Sequence, residues 1–227
     1  MKHLFYLMSI ILLLVSACKR DVARTNKEYP IKVEVTIRNQ AAEDSSKVTA
    51  YVTYNDSIAK GEPDTTLYDI TLGKGLELHR KKIDQKVIYE GSGSGLQGMS
   101  EQLSLLSKKS HNFKVAVQLP RLESFTVVPR TNNSSPLSVQ WKGNDLLGDE
   151  TLTWIIICNN KTAIGNVQGP STSHAIEIKP ADILHLPAGD GQIFLVRTHN
   201  TQSKIRGNEI VVRSEFTSES QQVVIKK

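Results

Sequence analysis

Short runs in which apolar and polar residues alternate dominate the chain after residue 29. Ile31, Val33, Val35 and Ile37 make the first, Val48, Ala50, Val52 and Tyr54 the second, and Phe113, Val115, Val117 and Leu119 a later one. Alternation of this kind puts every second side chain on one face, so each run predicts a strand with one buried side. Further strands are expected at Tyr68 to Leu72, Leu76 to His79 and Lys86 to Glu90. The segments between them carry turn formers, Asn55-Asp56-Ser57 and Gly61-Glu62-Pro63-Asp64. One run closes at Leu119-Pro120 and the next opens at Phe125, which places a domain boundary near Pro120 to Glu123.

The second half follows the same pattern. Strands are expected at Ser124 to Pro129, Pro136 to Trp141, Leu152 to Cys158, His174 to Ile178, Gln192 to Thr198, Ile210 to Phe216 and Gln222 to Ile225, at intervals typical of a sandwich. Leu137-Ser138-Val139-Gln140-Trp141 resembles the second strand of the immunoglobulin and fibronectin type III group, whose Trp packs into the core. Ala175-Ile176-Glu177-Ile178 with Ala181-Asp182-Ile183 resembles the fifth strand and its turn, and Gln192 to Asn200 the sixth. The tyrosine that usually forms the corner before the sixth strand is missing, with Gln192 and Ile193 in its vicinity. The expected class is therefore all-β: two tandem immunoglobulin-like β-sandwich domains, residues 29–120 by pattern and 121–227 by resemblance, after a cleaved signal peptide.

That signal is read from the first residues. Lys2 and His3 precede the apolar run Leu4 to Val15, broken only by Ser9. Such a run is too short to cross a bilayer as a helix, which needs roughly 20 apolar residues, and has the layout of a cleavable signal. Val15-Ser16-Ala17-Cys18 follows at once and resembles the lipobox of bacterial lipoprotein precursors: an aliphatic residue, two small ones, then cysteine. The resemblance implies removal of residues 1–17 and lipidation of Cys18, with two or three acyl chains making membrane attachment effectively permanent. Lys19 stands where Asp would be the familiar inner-membrane retention signal, so the outer membrane is the expected location. Residues 18–28 are polar, lack apolar periodicity and read as a flexible tether.

Composition narrows the picture further. Lys and Arg number 28 against 23 Asp and Glu. Only Lys2 among these leaves with the signal, so the mature chain is mildly basic. Its basic residues are interspersed with acidic ones except at Arg80-Lys81-Lys82 and Lys226-Lys227, which argues against a nucleic-acid partner and reads Arg80 to Lys82 as a solvated face. With Cys18 acylated, Cys158 has no disulfide partner; its apolar run Thr151 to Cys158 marks it as a buried, inert thiol.

Candidate chemistry is sparse. Gly93-Ser94-Gly95-Leu96-Gln97-Gly98 matches G-x-G-x-x-G between a strand and Met99 to Lys109, whose Leu103 and Leu106 have helix-compatible spacing. No second βαβ unit exists and the neighbouring strands alternate as antiparallel ones do, so the segment reads as a Gly/Ser loop with a short helix or irregular crossover, and no cofactor is expected. A nucleophile elbow would need Ser where Gly93 stands. His79, His111, His174, His185 and His199 occur singly, without zinc-binding spacing. Asn144-Asp145 with Asp149-Glu150 could gather oxygens for calcium, which takes six to eight; between two strands, Gly143 to Glu150 reads as a hairpin loop, as does Gly189-Asp190-Gly191. Trp141 and Trp154 fall within strands rather than on loops, the loop segment Lys161 to Ser173 has no aromatic residue, and carbohydrate binding gains little support. Asp56-Ser57-Ile58 and Asp64-Thr65-Thr66 resemble the short O-glycosylation signal of some Bacteroidota, in three-residue matches that arise often by chance.

No nucleophile and base can be paired, so no enzyme is expected. The sequence points to a lipid-anchored envelope protein acting as a binding, adhesion or structural module, held to the membrane through Cys18 and open to a protein partner in the cell envelope. The alternatives are an accessory subunit of an outer-membrane uptake or assembly complex and, behind it, an extracytoplasmic hydrolase.

Overall fold

Ile31, Val33, Val35 and Ile37 are all buried, and the residues between them are not, so the first run of alternation forms a strand with one face in a core. The computed structural model describes residues 30–41, 43, 45–54, 68–73, 76–83, 86–94, 96, 100–107, 112–128 and 134–226. The signal, Cys18 and the tether lie outside the described residues, as do the turns at 55–57 and 61–64, Gly95, Gly98, Met99 and His111.

The fold is all-β apart from one helical turn among the described residues. Its first half contains β1 (Ile31–Gln40), β2 (Ser46–Tyr54), β3 (Tyr68–Leu72), β4 (Leu76–Ile83), β5 (Lys86–Gly93), β6 (Ser100–Ser107) and β7 (Asn112–Gln118). β4 pairs with β3 through Leu76 to Leu78 and with β5 through His79 to Ile83, so one strand serves both layers, β1-β2-β5 on one side and β3-β6-β7 on the other. Between them lie the aliphatic residues of β1 and β2 with Ile70, Leu72, Leu103, Leu105, Tyr89 and Phe113.

The second half sets the three-stranded sheet β12-β9-β8 against strands β11, β10, β13 and β15. These are β8 (Ser124–Val128), β9 (Leu137–Lys142), β10 (Glu150–Cys158), β11 (Lys161–Gln168), β12 (Ala175–Ile178), β13 (Gly189–Ile205), β14 (Asn208–Thr217) and β15 (Gln221–Ile225). A single helical turn, α1 (Pro180–Ile183), carries the chain from β12 toward β13, with Pro at its start and the Asp182 carboxylate accepting from the Lys179 N–H. Leu137, Val139, Trp141, Leu152, Trp154, Ile156, Ile193 and Leu195 fill this core.

Four local expectations are corrected. Residues 100–107 form a strand rather than a helix: Leu103 and Leu105 are buried on one face while Leu106, which completes the helical spacing, is 40% exposed. Lys161 to Gln168 is strand β11 rather than loop. Gly143 to Glu150 joins strands of different sheets, so it is a crossover and not a hairpin loop. Gly189 to Gly191 opens β13 and pairs with Val223 to Ile225.

The largest departure concerns β13 and β14. β13 needs to reach only His199 to pair with β10, yet it continues to Ile205, turns at Arg206-Gly207 (φ 51° and 83°), and returns as β14. Positive φ at both turn residues gives a tight two-residue hairpin whose twist matches its strands. β14 then lies parallel to β1, Lys32 opposite Glu209 through Gln40 opposite Thr217. One face of β14 presents Ile210 and Val212 to the first core, Ser214 to the end of β7 and Phe216 to the second core. The Ser214 hydroxyl, fully buried, donates to the Gln118 carbonyl at 2.6 Å. A single strand thus feeds both cores in order.

Candidate functional site

The segment that connects the two sandwiches rests on a buried charge of the second. Along β13 the inward positions are Ile193, Leu195, Arg197 and His199, so Arg197 enters the core at the end facing the first half. Along β10 the same parity gives Glu150 before Leu152 and Trp154. The side chains of Arg197 and Glu150 are 3% and 4% exposed. Arg197 Nε donates to Glu150 Oε1 at 3.2 Å and Nη2 to Oε2 at 2.5 Å, a bidentate pair. Nη1 also donates to the carbonyls of Arg121 (3.2 Å) and Asn144 (3.0 Å), and Nη2 to that of Asp145 (2.6 Å). Glu150 Oε2 accepts in addition the Leu147 N–H at 2.8 Å. Burying two charges is costly unless every donor and acceptor is met; here the guanidinium ties β10, the crossover and the connecting segment together.

This arrangement uses the acidic loop considered for calcium. Glu150 faces Arg197, the Asp145 carboxylate lies 2.8 Å from His174 Nε2, and Asp149 Oδ1 lies 3.4 Å from His199 Nδ1. Each carboxylate of the segment thus faces a cationic or basic group of the protein itself, and the described residues contain no cluster of three His, Cys, Asp or Glu able to hold a metal.

Beside the hub, the connecting segment forms one wall of a cleft of about 400 Å³. Asn39, Gln40 and Glu43 come from the end of β1 and its turn, Arg121 to Glu123 from the connection, Ser124 and Phe125 from the start of β8, and Phe216 with Ser218 to Gln221 from the bend between β14 and β15. Leu119, Leu122, Phe125 and Phe216 give it an apolar floor, while Glu43, Glu123 and Glu219 outnumber Arg121 at its exposed rim. Its far wall is held where Ser218 bonds both ways with the Leu195 backbone and the Gln221 amide donates to the Phe125 carbonyl. The Asn39 side-chain oxygen is buried there without a hydrogen-bond partner. Serines line the cleft, and its described lining includes no histidine, cysteine or lysine.

The residues singled out by sequence do not gather here. Cys18 lies outside the described residues. Gly93 ends β5 and is followed by a strand, so the glycines do not precede a helix N-terminus of the kind a pyrophosphate needs. Trp141 and Trp154 are buried at 3% and 4% in β9 and β10. Cys158 is buried, its thiol 3.4 Å from the Pro187 and Asp190 carbonyls. His79 and Arg80 to Lys82 are exposed on β4, and Lys81 pairs with Glu90 at 3.2 Å. His185 Nε2 lies 3.1 Å from the Thr162 carbonyl. The hub itself was missed, although the signal is present: Arg197 and Glu150 both occupy the core-facing parity of strongly apolar strands.

No protein-family model matches the chain, and no curated protein matches it either. Among solved structures, a chain of a cytokine receptor complex is 12% identical over 85% of this chain and 97% of its own, with TM-score 0.34. A bacterial ice-binding adhesin, described for host cell surface retention, is 13% identical over 83% of this chain and 64% of its own, with TM-score 0.22. A chain from the complex of Dpr11 IG1 with DIP-gamma IG+IG2 is 9% identical over 82% and 96%, with TM-score 0.23.

Proposed function

We propose that the chain is a lipid-anchored, non-enzymatic binding module of the cell envelope, with the cleft between its sandwiches as the binding site. The carrying observation is the construction of that cleft. Its walls belong to different sandwiches, yet β14 pairs with a strand of each and the Arg197 hub fixes the connecting segment at Arg121, as expected of a preorganised site. An apolar floor under an acidic, hydroxyl-rich rim suits a ligand with hydroxyl or amine groups and one apolar face. Cys18 would anchor this unit through its acyl chains, at the outer membrane, and residues 18–28 would hold it off the bilayer.

Two experiments test the reading. Cys18→Ala should abolish incorporation of labelled palmitate and move the protein out of the membrane fraction; a variant still acylated and membrane-bound ends the anchoring proposal. For the cleft, melting temperature is measured with purified peptidoglycan fragments, lipopolysaccharide oligosaccharide and short cationic peptides. At least one should raise it saturably in the wild-type protein and leave Ser220→Trp, which fills the cleft, unmoved. Equal shifts in both proteins, or none in either, would sink the assignment.

A further inference from the structure

The paired strands run in one sheet in the order β11-β10-β13-β14-β1-β2-β5-β4-β3-β6-β7; β11 closes it at one end, and among the described residues only β10 pairs with it. The β10–β11 hairpin turns at Asn159-Asn160, both at positive φ (46° and 64°), with Cys158 opposite Lys161. A two-residue turn makes that flanking pair hydrogen-bonded, and antiparallel pairs then alternate. Cys158, Ile156, Trp154 and Leu152 therefore exchange bonds with Lys161, Ala163, Gly165 and Val167. The bond from Gly169 N–H to the Glu150 carbonyl, 2.9 Å, continues the same parity. It follows that the N–H and C=O groups of Thr162, Ile164, Asn166 and Gln168 point away from β10, toward the open edge.

Open edges are usually blunted by charge, proline or brevity. β12, at the corresponding edge of the other sheet, has only four residues, one of them Glu177; β7 carries Lys114 within its run. β11 has eight residues, no proline and one charge, Lys161, at its extreme end. Its outward side chains Ile164, Asn166 and Gln168 are uncharged, and Ile164 is 63% exposed. The free stretch is bounded: His185 occupies the Thr162 carbonyl, and Pro170 has no N–H to offer.

From this edge we infer that β11 pairs with β11 of a second copy of this chain, antiparallel about a twofold axis at Asn166. This register puts Ile164 opposite Gln168 of the second copy, Asn166 opposite its own equivalent, and Gln168 opposite Ile164. Each of the three pairs exchanges two N–H···O bonds, so every free backbone group between Thr162 and Pro170 is satisfied. No like charges meet across the axis. Shifting the register by two residues brings in the Thr162 carbonyl, which His185 already holds, so the twofold at Asn166 is the best-satisfied arrangement. The occupant is a second copy because the edge is complementary to itself in charge and in hydrogen-bonding period. This surface lies apart from the cleft and its assignment does not depend on it.

The test uses the full chain in detergent. Across a hydrogen-bonded antiparallel pair the Cα atoms stand about 5.5 Å apart, within disulfide reach. Asn166→Cys should oxidise to a covalent dimer at least tenfold faster than Thr162→Cys, whose equivalents would lie far from each other across the axis. In sedimentation, the wild-type protein should show a concentration-dependent dimer that Asn166→Pro abolishes without lowering the melting temperature, since that N–H points away from β10 and meets no acceptor among the described residues. Equal oxidation rates of the two cysteine variants, a wild type that stays monomeric at the highest concentration, or a dimer that persists in Asn166→Pro each overturns the inference. If Asn166→Pro loses its fold, the cysteine rates decide alone.

Discussion

The first sandwich buries aliphatic side chains with Tyr89 and Phe113, and it borrows Ile210 and Val212 from β14, a strand of the second half of the chain. The second buries both tryptophans together with Glu150, Arg197 and His199, and among the described residues its core takes none from the first. Dependence therefore runs in one direction. A sheet edge such as β1 is a liability when open, and the chain covers it with β14, whose Ile210 and Val212 lie outside the second core. The comparison teaches that a boundary drawn along the sequence, near Pro120 to Glu123, is not where the cores divide: residues 201–212 belong in space with residues 30–119.

The sharpest way to break the comparison is Val212→Asp, which puts a carboxylate into the first core. Val212 is fully buried, and an unpaired charge there should cost upward of about 5 kcal/mol, enough to unfold the first sandwich. The second should survive, keeping its tryptophan fluorescence and its urea midpoint. Damage to the second core of equal size would contradict one-way dependence. Arg197→Met should next cost about 3–5 kcal/mol by leaving Glu150 buried without its partner. It should weaken both sandwiches, since the β13–β14 extension departs from the second. Adding Glu150→Leu should recover a large part of the loss in urea unfolding, because the pair then leaves together.

Two smaller effects sharpen the picture. A Cβ on Gly165 would lie 2.3 Å from the Trp154 ring, so Gly165→Ala should cost about 1–3 kcal/mol and perturb tryptophan emission of the second sandwich alone. Arg38→Gln removes the 3.2 Å pair between β1 and Glu215 of β14. Because Arg38 is 62% exposed, the loss should stay below about 1 kcal/mol and disappear at high salt. The β1–β14 junction thus rests on its backbone ladder and on Ile210 and Val212 rather than on surface charge.

Most strands were legible because their inward residues are large and their outward ones polar, as in β1, β7 and β10. Two were hidden for physical reasons. In β11 the inward positions are Ala163 and Gly165, kept small by the Trp154 ring, so the alternation lost its contrast. In β6 a third leucine, Leu106, sits outward and imitates helical spacing. The parallel β1–β14 pairing had no local signature at all, since it joins residues 177 apart whose alternation fits any edge. Of the candidate site, the hub could have been found from charged residues at core parity. The cleft could not, because its walls are brought together by that long-range pairing.

Native-state amide exchange across β1 and β14 tests the central claim most directly. The bond from Ala41 N–H to the Thr217 carbonyl, 2.8 Å, sets the parity of the parallel ladder, so the amides of Val35 and Ile37 bond to β14 and those of Val211 and Arg213 to β1. These four should exchange with an opening free energy within about 1 kcal/mol of that of the first-core amides Val115 and Val117. If they exchange orders of magnitude faster while both cores stay protected, the sandwiches are joined by a loose contact, and the account of one strand holding two cores is wrong.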